Sequence, residues 1–142
     1  MGGMRRLVLA LTLSVAVPLA AGEAAKPKKP VLEIRPTPRF GFSPLNVLFI
    51  AELKGGGDFE DFYCPEIEWD WDDGGKSIKE SDCPPYEEGV THIERRFSQE
   101  HGFVRAGVFA VRVTMRRSNH LIAKQTVSVT VRPGLGDPSN VP

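Results

Sequence analysis

The sequence holds only two cysteines and three histidines, too few and too scattered for most metal or nucleophilic chemistry. No histidine lies within ligand spacing of Cys64 or Cys83, which argues against a structural zinc site. The two cysteines are also too far apart in sequence for a Cys-x-x-Cys redox pair. His92, His101 and His120 read as strand-edge or loop residues, and no Gly-x-Ser-x-Gly elbow is present. Gly55-Gly56-Gly57 follows a strand but is followed by no Lys-Ser, no Lys-Thr and no helix, so it is no phosphate loop. Beyond Leu19 no segment sustains apolar residues at i, i+3, i+4 and i+7, so no amphipathic helix is expected. Positive charge is not in excess either: Lys plus Arg and Asp plus Glu number 18 each. Without that excess, the basic row of Arg112, Arg116 and Arg117 is a poor footprint for nucleic acid.

What is present begins with an address. Arg5 and Arg6 precede an apolar run from Leu7 to Leu19, and the small residues Ala20, Ala21 and Gly22 follow, which is the order of a cleavable secretory signal over residues 1–22. The run falls short of the roughly 18 residues that span a bilayer, so no membrane span is expected once the signal is removed. About 120 residues remain, enough for one domain. Residues 23–30 form a flexible basic, Pro-containing lead-in, the domain covers 31–132, and residues 133–142 read as a flexible tail. An exported chain with two cysteines most simply pairs Cys64 with Cys83. That bridge would constrain the unfolded chain by roughly 3 kcal/mol through loop-closure entropy.

The residues between these ends alternate like strands. Ile67, Trp69 and Trp71 fall on one face while Glu68, Asp70 and Asp72 fall on the other, and Asp73-Gly74-Gly75 then makes a turn. Val31 to Arg35 is a short strand ended by Pro36 and Pro38. Leu45 to Leu53 is stronger, and apolar Leu48 and Ile50 on its second face imply burial on more than one flank. A short edge strand is expected near Lys76 to Glu80, another strand over Thr91 to Phe97, and a loop from His101 to Val104. Gly107 opens a strand with Phe109, Val111, Val113 and Met115 inward. Ser118-Asn119-His120 turns it back into an alternating strand at Thr126 to Arg132, forming a hairpin. These features predict an all-β, immunoglobulin-like sandwich of about seven strands in two antiparallel sheets, with Trp69, Trp71, Phe109 and Val111 in its core. The stretch from Asp58 to Glu88 is strongly acidic and that from Arg95 to Arg132 basic. Pairing of the two halves within one sheet would neutralise both, whereas separation would make a dipolar surface.

Four segments, in order, resemble the polycystic kidney disease (PKD) repeat. Pro44-Leu45-Asn46-Val47-Leu48-Phe49-Ile50-Ala51 resembles its opening strand, and Trp69-Asp70-Trp71-Asp72-Asp73-Gly74 its Trp-Asp-Phe-Gly-Asp-Gly signature. Arg105 to Val113 is similar to its Pro-Gly-Thr-Tyr-Thr-Val stretch, and Thr126 to Val131 to its last strand. Asp72 stands for the signature's middle Gly, Trp71 for its Phe, Ala106 for its Pro and Phe109 for its Tyr. The resemblance implies an extracellular immunoglobulin-like module and permits, without requiring, Ca²⁺ at Asp70, Asp72 and Asp73.

Two functional expectations follow. The first is a secreted or periplasmic non-enzymatic module that binds a protein or polysaccharide, or acts as a spacer at the cell surface. Its expected contacts are Phe59, Phe62 and Tyr63, aromatics on an acidic loop, unless these rings cap the core beside the disulfide. The second is a small exported hydrolase or calcium-dependent protein using the acids around Asp70 to Asp73. Asp70 and Asp72 would stand about 6.5 Å apart along one strand face, but a flat face offers no pocket to raise a carboxyl pKa. The distal Glu of a calcium loop is also missing, its place taken by Ser81.

Overall fold

The computed structural model describes residues 29–137. The signal segment, residues 23–28 of the lead-in and residues 138–142 lie outside them. Eight strands form two sheets: β1 (Val31–Thr37), β2 (Phe40–Phe42), β3 (Leu45–Lys54), β4 (Glu66–Asp70), β5 (Lys76–Lys79), β6 (Arg96–Phe103), β7 (Gly107–Arg117) and β8 (His120–Arg132). One sheet has the order β1-β3-β6, the other β2-β8-β7-β4-β5. Every pairing is antiparallel except that of β2 with β8. Among the described residues no helix is long and apolar enough to cross a membrane.

Alternation decides what lies between the sheets. Val47, Phe49, Ala51 and Leu53 from β3 meet Ile67, Trp69 and Trp71 from the β4 region and Val111, Val113 and Met115 from β7, all 2% exposed or less. The two indoles stack at 5.5 Å, and Phe49 packs on both, at 6.0 and 5.3 Å. Each indole buries roughly 150–250 Å², worth about 4–6 kcal/mol at 25 cal/mol per Å². Phe109, expected in the centre, is only half-buried, and it stacks on Phe103 at the margin, 4.5 Å between rings.

Several boundaries differ from the sequence reading. β1 runs through Pro36 to Thr37 because it is an edge strand. Leu53 N–H donates to Arg95 O at 2.8 Å, so odd-numbered residues of β3 bond toward β6, and Pro36, opposite Phe49, turns its nitrogen to the free edge. β2, three residues between Pro38 and Pro44, was not expected at all. The strand expected at Thr91 to Phe97 begins instead at Arg96 and continues to Phe103, so His101 lies on a strand rather than in a loop. Leu48 is 37% exposed and Ile50 intermediate, because β3 is the centre of a three-stranded sheet with an uncovered outer face. In the β7–β8 hairpin Ser118 and Asn119 have φ of 44° and 70°, so two left-handed residues make the turn and His120 already belongs to β8.

The expected loose tail is anchored at its start. Asp137 is 4% exposed and accepts hydrogen bonds from the Ser43 hydroxyl and from Ala106 N–H at 2.8 Å. Gly134 N–H donates to Ser43 Oγ at 3.0 Å.

Candidate functional site

The signature acids end β4 and make the turn into β5. Asp70 faces Lys76 at 3.5 Å and Arg112 at 4.0 Å across neighbouring strands. Asp72, at φ 62°, reaches sideways to accept Ala110 N–H at 2.8 Å. Asp73 Oδ1 accepts Gly75 N–H at 2.9 Å, an Asx-type turn bond. Its Oδ2 lies 2.6 Å from His101 Nε2. The three carboxylates therefore point to separate partners, and among the described residues no group of three His, Cys, Asp or Glu is placed to hold a metal ion.

His101 is the residue that sequence reasoning missed. Its ring lies flat on Trp71, 4.2 Å between centroids at 4°, with Phe103 edge-on at 4.8 Å. Trp71 Nε1–H in turn donates to Ser77 Oγ at 3.0 Å. The Asp73–His101 contact thus ties the signature turn of one sheet to β6 of the other. Partial burial works to raise the Asp73 pKa, yet the hydrogen bonds from His101 and Gly75 outweigh it and hold the carboxyl below the ordinary aspartate value.

The aromatic loop is split between core and solvent. A 3-10 turn, Glu60–Phe62, drives Phe62 into the core at 8% exposure, where Arg95 covers its ring at 5.5 Å. Tyr63 packs on Tyr86 at 5.5 Å and donates its hydroxyl to Pro84 O at 2.8 Å. Both rings are spent on capping the core beside the Cys64–Cys83 disulfide, whose Cα atoms are 6.1 Å apart. Phe59, 49% exposed, is the most open of the three loop aromatics, while Phe62 and Tyr63 take the alternative place against the core. A cleft of about 650 Å³ opens between this turn and the β7–β8 hairpin, with Phe62, Arg117, His120 and Ile122 in its wall. Arg117 reaches Glu60 at 3.4 Å, while its buried Nη1 has no partner among the described residues.

A second exposed apolar cluster lies at the opposite end, on the outer face of the five-stranded sheet. Phe40, Phe42 and Val108 are 49%, 59% and 68% exposed. Register aligns Phe40, Thr130 and Val108 in one row across β2, β8 and β7. The two phenyl rings meet edge-on at 6.3 Å, and Arg132 lies over Phe40 at 5.1 Å. Nothing in the sequence announced this patch, because β2 itself was unseen.

No protein-family model matches the chain, and no curated protein matches it. Among solved structures it is similar to the PKD domain of an M14-like peptidase from a Thermoplasmatales archaeon, at 18% identity and a TM-score of 0.51, covering 77% of this chain and 99% of that one. The residue pattern, the two-sheet architecture and this likeness agree on the fold: the chain is a PKD-like, immunoglobulin-type β-sandwich.

Proposed function

We propose that this protein is an exported, non-enzymatic module that makes a contact with a protein or polysaccharide outside the cytoplasm. The observation that carries this reading is the division of labour among its side chains. Asp70, Asp72 and Asp73, the groups best suited to chemistry, all bond within the fold, whereas Phe40, Phe42 and Phe59 stay on the surface. Exposed aromatics concentrate contact energy at recognition surfaces. Export is supported by the signal-like first residues and by the disulfide, which persists in oxidising compartments.

A spacer role is favoured by a separate observation. β1 starts opposite Lys54, at one end of β3, and the segment after β8 is clasped to Ser43, beside the other end. The described chain therefore comes in and goes out at opposite poles, as a link in a string would.

Immobilised mature domain, titrated with fractionated envelope proteins and with soluble polysaccharides, tests the reading. Saturable binding of one class, weakened by Phe→Ala at position 40, 42 or 59 and untouched by Asp70→Asn, is the expected result. Turnover of a peptide or glycoside substrate that disappears in Asp70→Asn would overturn it.

A further inference from the structure

We propose that β2 is a docking edge for an extended, acidic peptide segment, which would add to the five-stranded sheet as a further strand. The inference deepens the recognition reading and rests on it. Backbone parity comes first. Thr130 N–H donates to Arg39 O at 3.1 Å and Ser43 N–H donates to Arg132 O at 2.9 Å, so residues 39, 41 and 43 bond toward β8. Strand geometry then turns the N–H and C=O of Phe40 and of Phe42 to the open side. Four backbone groups and two exposed rings line that edge together.

The other edges are built differently. β1 carries Glu33, Arg35 and Pro36, β5 has Ile78 between Lys76 and Lys79, and β6 presents Arg96 and Glu100. Charges and proline of this kind block edge pairing. β2 is the edge without them: it reads Phe40-Gly41-Phe42. Pro38 and Pro44 bracket it and limit an added strand to a few residues.

Charge selects the occupant. Arg39, Arg105 and Arg132 belong to or flank this corner of the sheet, and none has an ion-pair partner among the described residues. A partner strand would place apolar side chains at alternate positions beside Phe40 and Phe42, on the face where Arg132 overlies Phe40, and a carboxylate one position further along that face would meet Arg132.

A library of random nine-residue peptides displayed on phage, selected on the mature domain, supplies the probe, and the enriched peptide is then synthesised and titrated. The expected consensus alternates apolar and polar residues and includes Asp or Glu. The synthetic peptide should slow amide exchange at Phe40 and Phe42 at least tenfold. Phe42→Pro, which removes an outward N–H but no bond to β8, and Arg132→Glu, which leaves the backbone intact, should each weaken binding at least tenfold, while Ile78→Ser, on the exposed opposite edge strand β5, leaves it unchanged. An empty selection, a basic consensus, or a patch that takes an anionic polysaccharide but no peptide overturns the inference. Binding that maps to Phe59 and Arg117 overturns the edge yet leaves the recognition reading standing, and binding to neither peptide nor polysaccharide defeats both.

Discussion

At the scale of single residues, the signature motif works by holding the two sheets together. Trp69 and Trp71 fill the core, and the acids that alternate with them fasten the turn to its neighbours. Asp73 matters most, because His101 on the opposite sheet is its partner at 2.6 Å. Its folded pKa is depressed, so its contribution is complete above the ordinary aspartate value near 4 and is lost as the pH falls below that value through the depressed one. Urea unfolding midpoints followed from pH 7 to pH 2 should therefore decline on the acid side, and Asp73→Asn should be less stable at neutral pH and flatter across that limb. A variant whose acid limb matches the wild type would show that the pair is energetically idle. The Trp-Asp alternation was legible because it follows the pleat. His101 was not, since a polar ring reads as loop or surface until its flat contact with Trp71, 4.2 Å away, is visible.

At the scale of elements, the long regular strands were readable and the short or interrupted ones were not. β3 and β4 bury every second side chain, and β7 keeps that alternation through Val111, Val113 and Met115 although Thr114 is buried as well, so periodicity marks them. β2 is too short to show a period, and β6 hides its inward set behind Gln99 and His101. The triple-glycine loop, read in the sequence as following a strand, does follow β3, which ends at Lys54. Gly56 takes a left-handed φ of 76°, and a Cβ there would come within 2.7 Å of the Phe62 ring. Arg95 closes the same loop from the other side, donating to Gly55 O at 2.8 Å and to Gly57 O while covering Phe62. Arg95→Met keeps much of the apolar stem but removes the donor from those exposed carbonyls, at a cost of about 1 kcal/mol. Gly56→Ala combines backbone strain with a steric clash and should cost at least as much. Chemical denaturation of both variants checks this, and a loss below 0.5 kcal/mol in each would mean that the loop contributes nothing to the cap over Phe62.

At the scale of the whole molecule, acidic β4 lies beside basic β7 in one sheet. Glu66 stands opposite Arg116 and Asp70 opposite Arg112, so on these two strands opposite charges face each other. Exposed pairs of this kind add little stability. Arg39, Arg105 and Arg132, which make no ion pair among the described residues, lie near β2, so the aromatic edge offers both charge and apolar surface. The two ends of the described segment also matter at this scale. Val31 pairs with Lys54 at one end of β3, Gly134 contacts Ser43 near the other, and a ten-residue strand spans roughly 30 Å. Both native cysteines are in the disulfide, so cysteines introduced by Val31→Cys and Leu135→Cys take nitroxide labels selectively. Pulsed dipolar spectroscopy on the doubly labelled domain should give one narrow distance distribution centred at about 30 Å, widened only by the label arms. A population below 20 Å would place the two ends on the same side of the sandwich and remove the geometric basis for a spacer, while leaving the Phe40–Phe42 edge untouched.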